Sequence, residues 1–199
     1  MKWMIGVDEV GRGPLAGPVS ICVFASRPAD LLGLFPKNTL KDSKQLSHAN
    51  RAKIVQQLTL LKEKNVVDFE ILHRSSAEID RQGIAVCIRE MIDEALHALI
   101  SRHADITSST EIFLDGGLRA PEIYTSTQTI VRGDAQVVEI ACASILAKEE
   151  RDGIMRSYGQ RYPEYGFESH MGYATKAHRQ ALLNYGKIEI HRNSFIHFL

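Results

Sequence analysis

The chain has 199 residues, of which 44% are hydrophobic and 24% are charged. This length and balance are typical of one globular domain with its own apolar core, and they argue against a disordered or fibrous protein. Lysine and arginine together number 24, as do aspartate and glutamate, so the formal net charge is zero. That balance argues against a protein whose whole surface attracts nucleic acid.

Two strands joined by a turn are predicted at the start of the chain. Residues 3–7 are short and apolar and run into Asp8 and Glu9, after which glycine and proline crowd together. Residues 19–25 are apolar and rich in β-branched side chains. The pattern predicts a first strand that ends at the two acids and a second strand that pairs with it in antiparallel fashion.

Helices and further strands alternate through the middle of the chain. Ser47 is a suitable N-cap for a helix over 48–64, in which Ile54, Leu58 and Leu61 recur at helical spacing. A half-buried strand is predicted over 66–72, and a long helical region over 76–103 with an interruption near Gly83.

The second half of the chain places two more acids just after apolar runs. A short strand over 111–114 ends in Asp115, and an extended segment over 127–131 ends in a turn that contains Asp134. A helix rich in small residues is predicted over 138–156, and a helix over 175–184 follows a loop rich in glycine, tyrosine and histidine. The order of elements predicts an α/β domain with a mixed sheet, in which 1–156 forms the core and 157–199 a helical extension.

The four acids Asp8, Glu9, Asp115 and Asp134 follow strand-like runs, so they can converge on one edge of the sheet. Carboxylates in a shared cleft repel one another unless a cation binds, and an all-oxygen ligand set favours Mg²⁺ or Mn²⁺ over zinc. Neighbours in a regular strand point to opposite faces, so the first strand must end or twist at Asp8 and Glu9 if both are to reach one site. The alternative for each acid is an exposed loop residue or a turn, because Asp-Gly is an ordinary turn dipeptide.

Other residue types point to structure rather than chemistry. Cys22, Cys87 and Cys142 have apolar neighbours and no CxxC spacing, which favours buried reduced thiols. Asp152 lies several helical turns beyond Asp134, so we expect it in an ion pair or a cap, and His178 is expected to be a hydrogen-bonded structural histidine, as is His191.

The N-terminal sequence reaches its first acids too early to contain the apolar region of a signal peptide, and charged residues or histidine interrupt every long apolar stretch. We therefore expect a soluble, cytoplasmic protein. Basic residues cluster locally around Lys44 and between Lys176 and Arg192, where the alternatives are solvated surfaces and a local nucleic-acid site.

These residues carry a resemblance to the ribonuclease HII family that spans nearly the whole chain. It is carried, in the family's order, by DEVGRGPLAGPV from Asp8, KDSKQLS from Lys41, IDRQGI from Ile79, LDGG from Leu114, RGD from Arg132, EIACASILAKEERD from Glu139, GYATKAH from Gly172 and HRNSF from His191. The resemblance implies a ribonuclease H-like fold and an endonuclease that cuts RNA in RNA–DNA hybrids and at single ribonucleotides embedded in duplex DNA. Cutting on the 5′ side of the ribonucleotide would leave a 3′-hydroxyl and a 5′-phosphate.

The resemblance also implies roles for individual residues. The four acids would hold two catalytic Mg²⁺ or Mn²⁺ ions, Gly11, Arg12 and Gly13 would read the ribonucleotide, and Tyr173 would stack beside it. Ser43 and Lys44 match a segment that contacts phosphate, although Lys44 also suits a solvated surface. A glycine loop lets main-chain amides approach the 2′-hydroxyl, the group that distinguishes RNA from DNA.

The chain departs from the family's pattern at two positions, and the sequence leaves two alternative functions open. The family often has a lysine where this chain has Met171, whose absence would remove one phosphate contact, and a valine or similar residue where it has Glu149. The chain ends without a long tail, so no clamp-binding extension is evident, and we expect a monomer. The alternatives are another nuclease of the ribonuclease H-like type, such as a junction resolvase, and a non-catalytic module that binds hybrids.

Overall fold

The computed structural model describes residues 2–27, 31, 46–107 and 109–198. The predictions for Ser43 and Lys44 lie outside these residues. In chain order the elements are β1 (Met4–Val10), β2 (Val19–Ser26), α1 (His48–Glu63), β3 (Val67–Arg74), α2 (Ser76–Gln82), α3 (Ile84–Arg102), β4 (Glu111–Asp115), β5 (Thr127–Ile130), α4 (Val138–Arg161), α5 (Phe167–His170) and α6 (Lys176–Tyr185). Short 3₁₀ turns cover Gly133–Ala135, Pro163–Tyr165 and Asn193–Phe195.

The strands form one mixed sheet in the order β3-β2-β1-β4-β5. The pairs β1–β2 and β2–β3 are antiparallel, whereas β1–β4 and β4–β5 are parallel. The predicted mixed sheet with an opening hairpin is therefore confirmed. The central strand β1 carries the first two acids, and the parallel strand β4 lies directly beside it.

Helices cover both faces of the sheet, as is usual where a sheet contains parallel strands. One apolar cluster joins Ile5 and Val7 of β1 to the buried face of α3, which includes Met91 and Leu96. A second cluster on the opposite face joins β2 to α1 and to the small residues of α4. The sheet is thus buried on both sides at its centre, which fixes the direction in which each side chain of β1 points.

Helix α4 lies unusually close to β1 because both surfaces lack bulk. A Cβ atom on Gly6 would overlap the main chain of Glu139 and Ile140 at the start of α4. Ala141, Ala143 and Ala147 are fully or almost fully buried in the same helix. Small residues let a helix approach a strand closely, and this approach brings the first half of α4 to the edge of the sheet that carries the acids.

A third apolar cluster connects the C-terminal part to the rest of the chain. It contains Leu15 and Ala16 of the loop after β1, Met155 of α4, and residues from Tyr165 to Ile196. Helix α4 continues to Arg161, through the predicted boundary at residue 156. The sequence analysis ended this helix too early because its last turns are polar, with Gly159 buried against Glu168 in place of an apolar face.

Strand β1 also differs from the prediction. It continues to Val10, where it pairs with Ser20 of β2, instead of ending at the acids. Its pairing with β4, however, stops at Val7 and Leu114. One side of the strand is therefore open at Asp8 and Glu9 while the other remains hydrogen-bonded.

The other boundaries agree with the sequence analysis to within a few residues. Ser47 caps α1 as predicted, since its side chain accepts a hydrogen bond from the amide of Asn50. The interruption near Gly83 separates α2 from α3, and Gly83 has the positive φ of 84° that favours glycine. Within the described ranges, no helix is both long enough and apolar enough to cross a bilayer.

Candidate active site

Two of the predicted acids lie side by side on neighbouring parallel strands. Val7 of β1 pairs with Leu114 of β4, so Asp8 and Asp115 each occupy the next position along their strands. Side chains alternate along a strand, and Asp8 points to the α4 face, where it hydrogen-bonds the Ser144 side chain. Asp115 has the same parity in the paired register and therefore belongs to the same face.

The turn that contains Asp134 is attached directly to Asp115. The Gly133 amide donates a 2.7 Å hydrogen bond to Oδ1 of Asp115. Arg132 adopts the left-handed conformation with φ 56°, and a Cβ on Gly133 would overlap Ile140 of α4. The structure therefore brings the turn of Asp134 to the same edge as Asp8 and Asp115. Both Asp115 and this turn lie more than a hundred residues after Asp8 in the sequence.

Asp8 is buried, with only 4% of its surface exposed. Burial is the main cause that raises its pKa to about 8; the neighbouring carboxylates of Asp115 and Glu9 act in the same direction, and the hydrogen bonds from Ser144 and from the Glu9 amide oppose them. The Glu9 amide donates to Oδ1 of Asp8 at 2.8 Å. A carboxyl group in such a place is unfavourable as an anion unless a positive charge joins it.

Glu9 reaches the same edge from the other face of β1. Strand alternation directs it towards the α3 side, where Nη1 of Arg12 lies 3.6 Å from its Oε1. Burial raises the pKa of Glu9 even though Arg12 opposes the shift, and Asp115 also raises it. Strand β1 stays paired with β2 through both residues, and Asp8 and Glu9 each interact electrostatically with Asp115.

These residues fit a hard divalent cation by the chemistry of their donors. The donors are carboxylate oxygens, the pKa values of Asp8 and Glu9 are raised, and Asp8, the more buried of these two, has no cationic partner among the described residues. As the side chains lie, no three or more histidine, cysteine, aspartate or glutamate residues of the described chain are arranged so that they could hold a metal ion together. An ion here would be held by few protein oxygens, and water or substrate oxygens would complete its coordination, as Mg²⁺ prefers.

The loop from Gly11 to Pro18 leads directly away from these acids. Gly11 and Gly17 have positive φ angles of 84° and 83°, and a Cβ on either would overlap a side chain of α4. Gly13 instead borders open space, since a Cβ built on it would meet only Cε1 of Tyr173, at 3.9 Å. Tyr173 is 43% exposed. The structure therefore brings together Gly13 and Tyr173, which are 160 residues apart, and leaves between them a gap in which a Cβ atom on Gly13 would just contact the ring.

Two fully buried arginines, Arg151 and Arg192, hold this loop. The sequence analysis counted Arg192 in a basic cluster, as a solvated surface or a local nucleic-acid site, and both alternatives are wrong for Arg192 because it has no exposed surface. Arg192 donates to the carbonyl oxygens of Gly11 (2.7 Å), Arg12 (3.1 Å) and Gly17 (3.0 Å). Arg151 donates to the carbonyl oxygens of Pro18, Ala16 and Met171 at 2.9–3.3 Å. Their positions within segments that were otherwise apolar or structural could have indicated that they are buried. An arginine in a sequence is, however, normally predicted to be exposed.

A histidine pair lies beneath Tyr173. The ring of His178 hydrogen-bonds the Tyr173 carbonyl at 3.0 Å through Nδ1, and its Nε2 meets Nε2 of His191 at 3.1 Å. Nδ1 of His191 accepts from the Ile188 amide, so His191 donates through Nε2 and both rings are neutral. Burial lowers the pKa of both histidines, that of His191 to about 4. The structural role expected for them is confirmed.

The remaining predictions for individual residues also have clear outcomes. Asp152 pairs with Lys148 at 2.7 Å and with Arg51 at 3.2 Å, which confirms the expected ion pair. Glu149, one of the two departures, pairs with Arg51 and Arg156 at 3.2 and 2.9 Å. Met171, the other, has a positive φ of 50° and accepts from Arg151 through its carbonyl. All three cysteines are buried and free.

Comparisons with known proteins agree with this architecture. The family model described as Ribonuclease HII matches residues 5–198. A ribonuclease HII of Nitrosomonas europaea is 39% identical over 194 residues, which cover 98% of this chain and 82% of the relative. One from Clostridium perfringens is 37% identical over 197 residues, covering 98% of this chain and 67% of the relative.

Among solved structures, the crystal structure of ribonuclease H2 from Pyrococcus horikoshii OT3 superimposes with a TM-score of 0.73. The two chains are 26% identical, and the match covers 96% of this chain and 93% of the other. The match over nearly the full length includes both strands that carry the acids and the C-terminal part with Tyr173. The chain belongs to the ribonuclease HII family, whose members are metal-dependent endoribonucleases acting on RNA–DNA hybrids.

Proposed function

We propose that this protein, besides cutting the RNA strand of hybrids, nicks duplex DNA on the 5′ side of a single embedded ribonucleotide, leaving a 3′-hydroxyl and a 5′-phosphate. The observation that carries the proposal is the adjacency of two features. The edge with Asp8, Glu9 and Asp115 is continuous with the loop that forms the gap beside Tyr173, and the Glu9–Arg12 ion pair joins the two. A ribose in that gap would place its phosphate near the acids.

In this proposal Asp8, Glu9, Asp115 and Asp134 hold two Mg²⁺ or Mn²⁺ ions. Bound ions of this kind activate water and stabilise the leaving oxygen in phosphodiester hydrolysis. The chain's own contribution is to keep the carboxylates in place before substrate arrives. The Glu9 amide and Ser144 orient Asp8, and the Gly133 amide orients Asp115. Carboxylates held in this way need little rearrangement on binding.

The ribonucleotide itself would be recognised by Gly11, Arg12, Gly13 and Tyr173. Glycine at position 13 leaves no side chain between the loop and the gap, so a sugar would approach the main chain there, and the exposed Tyr173 ring would offer an apolar surface against the ribose and base. The 2′-hydroxyl of the sugar, which can both donate and accept a hydrogen bond, is the group that distinguishes RNA from DNA at one position. Discrimination would therefore occur at the loop, and hydrolysis at the neighbouring acids.

The surface beside this site suits a duplex. A groove of about 490 Å³ is lined by Arg12, Arg89 and Arg119, with Glu122 as its one acid and an apolar floor formed by α3 and the loop after β4. Phosphate contacts by arginine position a duplex without reading its sequence. A local cationic groove of this kind explains how a chain of zero net charge can bind nucleic acid. Residues 1–199 would act together as one catalytic domain and as a monomer.

The test is a cleavage assay on a DNA duplex that carries one ribonucleotide, incubated with Mg²⁺, Mn²⁺ or a chelator. We expect a single nick 5′ of the ribonucleotide in the presence of either metal, and none with the chelator. Asp134→Asn should abolish the nick while the circular dichroism spectrum and melting temperature stay close to those of the unaltered protein. Cutting of branched DNA without cutting of the ribonucleotide duplex would refute the proposal, as would full activity of Asp134→Asn.

A further inference from the structure

The loop that borders the Tyr173 gap is fixed from inside by buried cations, and this bears on how a ribonucleotide is recognised. Arg192 has no exposed surface. Within the described part of the chain it forms no ion pair with a carboxylate, and its guanidinium donates only to main-chain carbonyls. Burying an arginine without an acidic partner is costly, so its hydrogen bonds to the loop have to be well formed.

Because of peptide geometry, these hydrogen bonds also determine which way the amides of the loop point. In a trans peptide the C=O and N–H groups point in opposite directions. Arg192 holds the carbonyls of Gly11 and Arg12 inward at 2.7 and 3.1 Å. The amides on the same two peptide planes, those of Arg12 and Gly13, must therefore point outward, away from the buried arginine.

Those two amides are available to a ligand. Neither the Arg12 nor the Gly13 amide donates to an acceptor among residues 2–27, 31, 46–107 and 109–198, whereas the next amide in the loop, that of Leu15, is bound to the Gly172 carbonyl at 2.9 Å. Gly13 borders the gap with Tyr173. Paired main-chain donors on a glycine-containing turn form a site for an oxygen acceptor.

We propose that Arg192 is a positioning residue for ribonucleotide recognition: by holding the Gly11 and Arg12 carbonyls inward, it presents the Arg12 and Gly13 amides to the 2′-hydroxyl of the substrate. The inference rests on the proposed function, because it assumes that the gap beside Tyr173 receives a ribose. It assigns the discrimination between RNA and DNA partly to a side chain that never touches the substrate. The main-chain contacts of Arg192 reinforce this role, since its own amide donates to the Leu15 carbonyl at 2.8 Å.

The experiment measures binding in a chelator, so that no cleavage occurs, with two duplexes that differ only in one 2′-hydroxyl. We compare the unaltered protein, Arg192→Lys and the control Arg102→Lys. Lysine keeps the charge but has a single nitrogen and cannot hold two adjacent carbonyls in the fixed geometry of guanidinium. Arg102 pairs with Asp68 and Glu70, near the start of β3, at the opposite end of the sheet from the acids.

For Arg192→Lys we expect the preference for the ribonucleotide duplex to fall about tenfold, the effect of one to two weakened hydrogen bonds, while affinity for the all-DNA duplex changes little. Arg102→Lys should lower the melting temperature and leave the preference unchanged, which separates positioning from general stability. A folded Arg192→Lys protein that keeps the original preference would overturn the inference. So would equal binding of the two duplexes by the unaltered protein.

A second measurement avoids variants, in case Arg192→Lys does not fold. In the unaltered, isotope-labelled protein the amide resonances of Arg12 and Gly13 should shift with the ribonucleotide duplex and not with the all-DNA duplex. Equal shifts with both would overturn the inference. Failure of the proposed function is recognised separately, since the unaltered protein would then not nick the ribonucleotide duplex when Mg²⁺ is supplied.

Discussion

The substitution Asp8→Asn should destroy activity and yet stabilise the metal-free protein. Asp8 is 4% exposed and faces Asp115, and its pKa of about 8 lies far above the ordinary 3.8. At pH 7 the unfolded chain carries an ionised Asp8, whereas the folded chain must keep it protonated. The difference corresponds to about 4 kcal/mol of lost folding free energy, since each pKa unit is worth about 1.4 kcal/mol. Asparagine has the same shape and avoids this cost.

The raised pKa of Asp8 also makes the stability of the metal-free protein depend on pH. Between pH 3.8 and 8 the folded state binds more protons at Asp8 than the unfolded state, so this residue makes the metal-free protein less stable as the pH rises. For a chain of this length we expect Asp8→Asn to melt roughly 5–15 °C higher at pH 7 in a chelator, allowing for incomplete recovery of the 4 kcal/mol. Adding Mg²⁺ should raise the melting temperature of the unaltered protein far more than that of the variant.

The assay is thermal unfolding followed by circular dichroism at several pH values between 5 and 8, with chelator or with Mg²⁺. The gain of Asp8→Asn over the unaltered protein should shrink towards pH 5, because keeping Asp8 protonated in the folded state costs less free energy as the pH approaches its ordinary pKa of 3.8. The reasoning fails if the unaltered protein in chelator is as stable as Asp8→Asn at pH 8. It also fails if Mg²⁺ stabilises both proteins equally.

Two further predictions follow from groups outside the acid edge. His191 is buried and neutral, and its pKa is lowered to about 4. The free energy of unfolding should therefore fall by up to about 3 kcal/mol as the pH drops from 6.5 towards 4, because the unfolded chain takes up a proton at His191 and the folded chain does not. In urea titrations, His191→Gln in the Asp8→Asn background should reduce this loss of stability at acid pH. Replacing Arg89 and Arg119 of the groove by alanine should reduce the slope of log affinity against log salt by about 2. Lys64→Ala, beyond the end of α1, should leave the slope unchanged.

The sequence was sufficient for the local structure and for most of the candidate site. The Ser47 cap, the hairpin of β1 and β2 and the strand ending in Asp115 follow from patterns of a few residues, and local hydrogen bonding decides them. The same patterns failed where a strand or helix continued for tertiary reasons. β1 runs past the acids because β2 continues to pair with it, and the hydrophobic periodicity of a single strand does not predict how far its pairing extends.

The sequence by itself determined which groups are present: four carboxylates after apolar runs, a glycine-rich loop, and a tyrosine 160 residues away from it. Only the tertiary structure decided how they combine. The parallel pairing of β1 with β4 sets Asp8 beside Asp115, the bare surface of Gly6 admits α4 and its Ser144, and two buried arginines fix the loop opposite Tyr173. The physical reason is that each of these contacts joins segments far apart in the chain, so its energy depends on packing that no short window of residues contains.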